Sequence, residues 1–235
     1  MFVGALLIVD GDILSTSPTK FWESDNFIDV PLMIGSMAQE IDIYPTVGDQ
    51  IKDWTWHDYE IYVRSKFDSF DDTMSDRILE LYPPSQRYST PELSFTTMAS
   101  DIRVTCGNDE ITDIASRKFQ SPVYRFVGTA RPSKPVHWFG FGAEYAFHGW
   151  DMMGFFDSMN QYIEPNSDDR LFRDRMQVYL TSFAQTGNPD DNWLKWTGLG
   201  STALLSHDIK YTHRFNKTRC DFMKDNGFLS YSWIN

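Results

Sequence analysis

The stretch VPLMIGSMAQEIDIYP, Val30 to Pro45, decides how this chain is read. Val30 to Gly35 is a short apolar run closed by glycine, and without a polar alternation it predicts a strand buried on both faces. Glu40 lies just beyond the end of that strand, with a second carboxylate, Asp42, two residues further on. A histidine that such a carboxylate could orient appears downstream in FHGWDMMGFF, Phe147 to Phe156. On the functional reading His148 is a general base held by Glu40 through one ring nitrogen; on the structural reading it is a loop histidine bonded to backbone.

The elements around these two stretches follow from pattern. Ser75 to Tyr82 predicts a short amphipathic helix stopped by Pro83-Pro84, and the aromatic and charged segment Asp49 to Phe67 predicts surface helices and loops. From Pro91 to Phe119 apolar residues recur at helical spacing, with a break expected at Cys106-Gly107. PVYRFVG, Pro122 to Gly128, predicts another strand, and Ala203 to Phe215 a strand or two. The glycine-bearing segment from Arg131 up to the Met-Phe run after His148 is expected to be loop. Leu171 to Gln185 predicts a helix with Phe172, Met176, Tyr179, Leu180 and Phe183 on one face. Asp168 and Asp169 lie ahead of it, and Thr186-Gly187-Asn188-Pro189 stops it. At the start, the apolar run Phe2 to Val9 reads as a buried strand before a polar turn at Asp10-Gly11-Asp12; it lacks the basic flank and cleavage site of a signal peptide.

Composition narrows the classes. With 235 residues, 41% hydrophobic and 16% aromatic, the chain can bury a core. A net charge of −12 repels phosphate backbones, so nucleic acid is not an expected partner. No window approaches the roughly 18 to 20 apolar residues that span a bilayer, so membrane association is not indicated. Oligomeric state leaves no mark in the sequence. Cys106 and Cys220 have no metal-ligand spacing around them, so no metal site is expected, and counting alone leaves two free thiols and one disulfide equally open. Asn216-Lys217-Thr218 is an N-glycosylation sequon in a polar segment expected at the surface. His57 and His137 lack a catalytic context and read as surface or structural residues.

Four blocks in order carry a resemblance. IVDGDILSTSP followed by VPLMIGSMAQE resembles the strand, acidic turn and strand that lead to the catalytic acid of carboxylesterase type B proteins, the cholinesterase-like family, and Glu40 matches that acid. FHGWDMMGFF is similar to the family's histidine block, which aligns His148 with the base. YLTSFAQTGNPDDNW, Tyr179 to Trp193, resembles the helix-and-stop near the family's carboxy terminus, and CDFM at Cys220 resembles its final cysteine block. SMAQEID around the acid and FGAEYAF before the base depart from the commoner patterns.

The resemblance implies an α/β class: a partial α/β-hydrolase fold, the carboxy-terminal part, with the last strands of a mixed sheet and surrounding helices. Residues 1–235 would then be the carboxy-terminal portion of a single, incomplete domain. It implies that Glu40 and His148 are two members of a Ser/Glu/His triad, with Asp151 as polar support for the histidine loop. It implies a small-molecule carboxylic ester as substrate, no cofactor, a Cys106–Cys220 disulfide, and a secreted, extracellular glycoprotein with Asn216 as the glycosylation site. No G-x-S-x-G elbow occurs in the 235 residues, nor the glycine-rich oxyanion loop that precedes it in the family, so the lone chain is expected to be an inactive fragment. The rival implied by the same resemblance is a non-catalytic cholinesterase-like binding or adhesion module.

Overall fold

A computed structural model describes residues 9–24, 27–43, 49–84, 88–138 and 140–231. Its centre is a four-stranded mixed sheet in the order β1 (Leu32–Met37), β2 (Val123–Gly128), β5 (Ser201–Leu205), β6 (Ile209–His213). The first three run parallel, with Leu32 opposite Val123 through Met37 opposite Gly128 and Phe126 to Gly128 opposite Ala203 to Leu205; β6 returns antiparallel beside β5. A hairpin of β3 (Val136–Trp138) and β4 (Phe141–Ala143) stands apart, inside the segment expected to be loop. Three-residue strands are too short to show a period, which is why the sequence hides them.

Strand β2 is buried along its whole length, as its apolar and β-branched composition predicts. Its Tyr124 and Phe126 join the core formed with α6 (Trp150–Phe155) and α7 (Ser167–Thr186), while Val123 packs with Ala115 of α5 (Cys106–Lys118). Helices therefore cover both faces of β2, and a short helix, α1 (Pro18–Glu23), precedes the sheet in the chain. Arg125, in the middle of this strand, is fully buried; its Nε donates to Asp109 of α5 at 3.0 Å and its second terminal nitrogen to Ser36 of β1 at 2.8 Å. A guanidinium tolerates such a site only when its charge and donors are met.

Strand β1 departs from expectation in two respects. It runs through Gly35 to Met37, because a Cβ at residue 35 would stand 2.0 Å from the ring of Phe126 on the neighbouring strand. Glycine is there for close packing, not as a stop. The strand is also only half-buried from Leu32 to Gly35, with burial confined to Ser36 and Met37. Among the described residues β1 has one neighbour, β2, and so presents an edge.

A helical lobe stands beside the sheet. It comprises α2 (Trp56–Phe67), α3 (Met74–Leu81), α4 (Pro91–Ser100) and α8 (Lys217–Asp225), which bury Tyr59, Val63, Ile78, Tyr82, Phe95 and Phe228 against one another. The segment expected to be surface loops and helices thus supplies core residues. No break occurs at Cys106-Gly107; a π-helical stretch, Asp101–Thr105, joins α4 to α5 with helical backbone throughout. That wide turn carries Asp101, whose buried carboxylate accepts from Tyr82 Oη at 2.8 Å and pairs with Arg219 of α8 at 3.2 Å. Beside it, Cys106 and Cys220 form a disulfide closing a 114-residue separation.

Helix α7 behaves as its sequence predicts. Asn166 caps it with a reciprocal bond from Asp169, and Gly187 ends it at φ 74°. Phe172 and Met176 are buried, and Tyr179, Leu180 and Phe183 pack along the same core. The polar turn at Asp10 is present: its Oδ1 accepts from the backbone N–H of Asp12, Ile13 and Leu14. The expected strand before it lies outside the described residues save for Val9, as does the signal-peptide alternative.

Candidate active site

Glu40 begins a single 3₁₀ turn, Glu40–Ile43, immediately after β1. The turn folds back on the strand end: Glu40 Oε1 accepts from the backbone N–H of Met37 at 2.7 Å. That bond fixes the carboxyl group and leaves Oε2 to meet His148 Nδ1 at 2.7 Å, across 108 residues of sequence. Glu40 is 4% exposed, whereas the His148 side chain retains 47% exposure. The carboxylate is thus sheltered and the imidazole reaches outward.

A carboxylate can only accept, so it draws the neutral imidazole's proton to Nδ1 and makes Nε2 the basic nitrogen. The hydrogen bond that His148 donates to Glu40 raises the imidazole pKa; burial opposes this, and the charges of Glu40 and Asp151 add to it. The pair is therefore tuned to accept a proton at Nε2 and to hold the resulting cation.

The backbone around His148 explains its sequence. Gly149 adopts φ 91° and opens α6, and a Cβ there would stand 2.8 Å from the Trp138 ring, so a larger residue is excluded on both grounds. Asp151 lies in the first turn of α6, where its Oδ1 accepts from the N–H of Met152. Burial, then the Glu40 charge, pushes its pKa up to about 6. Asp151 thus acts on the histidine through charge and on the helix start through its hydrogen bond.

Asp42 is also buried, but its hydrogen bonds go to backbone: Oδ2 accepts from the N–H groups of Glu144 and Tyr145 at 2.8 and 2.9 Å. Of the two carboxylates after β1, the geometry thus pairs Glu40 with the imidazole. His57 on α2 and His137 on β3 are exposed. Of the Met-Phe run, Met153 enters the core while Met152 and Phe156 are exposed. Asn216 sits at φ 59° ahead of α8, and its Nδ2 donates to Asp101 at 3.0 Å, so the atom that would carry a glycan already has a structural bond. Sequence reasoning missed the Arg125–Asp109 pair, although a lone arginine inside PVYRFVG was a visible signal, and it missed the backbone contacts of Asp42, which no residue pattern announces.

No described helix is long and apolar enough to cross a membrane. The profile of the carboxylesterase family matches residues 1–223. Among solved structures, a PNB esterase superposes with a TM-score of 0.63 at 18% sequence identity, covering 91% of this chain and 42% of that one. No curated relative matches in sequence. The chain thus spans less than half the length of the esterase it resembles. Its mixed sheet, flanked by helices, is a partial α/β-hydrolase fold. By the match over nearly its whole length, the chain belongs to the carboxylesterase family.

Proposed function

We propose that this chain is the carboxy-terminal portion of a carboxylic ester hydrolase domain and supplies the acid and base of a Ser/Glu/His triad. The serine and the oxyanion donors come from residues outside this sequence. The observation that carries the reading is the 2.7 Å contact between buried Glu40 and half-exposed His148. A binding or adhesion module needs neither residue.

In this scheme Nε2 of His148 takes the serine hydroxyl proton as the oxygen attacks the ester carbonyl carbon. Glu40 steadies the imidazolium. The same nitrogen then protonates the departing alcohol, and an acyl-serine remains. Water attacks the acyl carbon next, losing its proton to Nε2, and the serine is regenerated as the acid leaves. No cofactor enters any step. Residues 1–235 alone, without G-x-S-x-G, are expected to turn over no ester by this route. The Cys106–Cys220 disulfide supports an oxidising, extracellular setting.

The test is ester hydrolysis by a longer polypeptide in which natural upstream residues provide the elbow. His148→Gln should lower turnover on the order of 10⁶-fold and Glu40→Gln on the order of 10⁴-fold. Turnover unchanged by either substitution refutes the assignment, and no turnover from the intact polypeptide favours the binding module.

A further inference from the structure

Asp42 sits two residues past Glu40 and is 3% exposed, yet it takes no part in the carboxylate–imidazole contact. What it holds is the chain leading to the imidazole. Its Oδ2 receives two successive backbone N–H groups, from Glu144 and Tyr145. Gln39 continues the seam: its N–H donates to the Ala146 carbonyl at 2.9 Å, and its Oε1 accepts from the Ala146 N–H at 3.3 Å. Three residues of one turn, Gln39, Glu40 and Asp42, therefore grip Glu144, Tyr145, Ala146 and His148.

The grip matters because these residues lie beyond the end of β4 and have no ladder of their own to hold them. Buried N–H groups without acceptors are costly, and hydrogen bonds to a charged acceptor are about twice as strong as neutral ones. The His148 side chain is 47% exposed, so the course of the chain leading to it bears on where the ring sits. The charged groups that act on Asp42 come from three other segments: Lys52 of the Asp49–Asp53 turn, Glu92 of α4 and Glu144 of the loop. Lys52 reinforces the seam by donating to the Gly142 carbonyl at 2.7 Å and pairing with Glu144 at 3.1 Å.

We propose that Asp42 is a positioning residue: by fixing the backbone of Glu144 and Tyr145 against the turn after β1, it keeps His148 within reach of Glu40. The proposal rests on the acid–base reading of that pair. A misplacement of about 1 Å at such a pair is enough to cost on the order of 10²-fold in rate. Asp42→Asn removes the charge while keeping an oxygen for the two N–H groups, so it separates an electrostatic effect on His148 from a positional one.

The test is the titration of His148 followed by its ring proton resonance in the 235-residue chain. Glu40→Gln should lower the midpoint by about one pH unit or more. Asp42→Ala should lower it by about half as much, whereas Asp42→Asn, which keeps an oxygen for both N–H groups, should restore the wild-type midpoint. In the Glu40→Gln background Asp42→Ala should add nothing, because its effect passes through that contact. An unchanged midpoint in Asp42→Ala, or an equal drop with and without Glu40, overturns the proposal. No shift in Glu40→Gln instead refutes the acid–base reading itself. Should Asp42→Ala not fold, amide exchange in Asp42→Asn decides: Glu144 and Tyr145 should stay protected with His148 unshifted, and lost protection with an unshifted His148 contradicts the positioning role.

Discussion

The sheet and the helical lobe bury their apolar surface to different degrees. In the lobe Tyr59, Val63, Ile78 and Tyr82 are sealed, and a disulfide ties α5 to α8. In the sheet, as the described residues form it, the two edges differ. β6 leaves Lys210, Tyr211 and His213 exposed, and a charged residue on an edge strand discourages further pairing. β1 offers Leu32, Met33 and Ile34 half-exposed, and just ahead of it Ile28 is 84% exposed. An apolar strand whose outer edge is open among the described residues is a template for another strand, and it borders the turn that carries Glu40. The lobe closes over its core although Ile61 and Phe70 stay exposed, whereas among the described residues the β1 side, which bears the acid, leaves an apolar strand edge open. This supports the proposal that further residues complete the domain.

The largest effect should fall on the lobe. Replacing Cys106 and Cys220 by serine removes a cross-link over 114 residues and should cost about 4–5 kcal/mol in denaturant unfolding. If the lobe is the self-sufficient part, amides of α8 and α5 lose exchange protection before those of β2; equal loss everywhere would erase the distinction between the regions.

Arg125 ties the sheet to α5, the helix that the disulfide joins to α8 of the lobe. Arg125→Leu leaves Asp109 buried without its partner and should cost about 3–5 kcal/mol, while the double change with Asp109→Leu should recover most of that. The loss should be smaller near pH 5 than at pH 8, because burial already pushes Asp109 up to about 6 and a protonated carboxyl needs no cation.

Mild acid should favour the site side. Burial pushes Asp42 and Asp151 up to about 6 and Glu92 up to about 7, each above its unfolded value of 3.8 or 4.5. Between those values the folded chain holds protons that the unfolded chain has released, so stability falls as pH rises through that window. His148, also raised, contributes in the same direction above 6.5. Asp10, Asp58, Asp71 and Asp208 are lowered and act oppositely, but only below about 3.8. A melting temperature that climbs from pH 8 to pH 5 is expected. A monotonic fall over that range would contradict the burial of these carboxyls.

The smallest effects should be alike in both regions. Thr55 caps α2 in the lobe and Asn166 caps α7 beside the sheet, each with a reciprocal side-chain bond. Thr55→Ala and Asn166→Ala should each cost about 1 kcal/mol by thermal unfolding. A much larger loss at Asn166 would mean that the Asp169 contact to Ser133 carries more than a cap.

Legibility followed the range of the interactions. Strand β2 and helix α7 were readable because local composition, caps and a stop agreed with their burial. Glu40 and His148 could be put together in the sequence only through the resemblance of their two blocks to a known family, since 108 residues separate them and no local pattern joins them. The extent of β1 was not readable, since only the Phe126 ring opposite explains a glycine inside a strand. The π-helical join before Cys106 was hidden for a similar reason, as it serves the contacts that Asp101 makes with Tyr82 and Arg219. Asp42 binds backbone, and backbone leaves no trace in the residue types it binds.

The most direct test of the central claim is covalent labelling by a fluorophosphonate, which reports an activated serine without reference to substrate. The 235-residue chain should remain unlabelled, and a polypeptide that adds the upstream elbow should label at one serine, at a rate that collapses in His148→Gln. Stoichiometric labelling of the 235-residue chain, or labelling of the longer polypeptide at the same rate without His148, would contradict it.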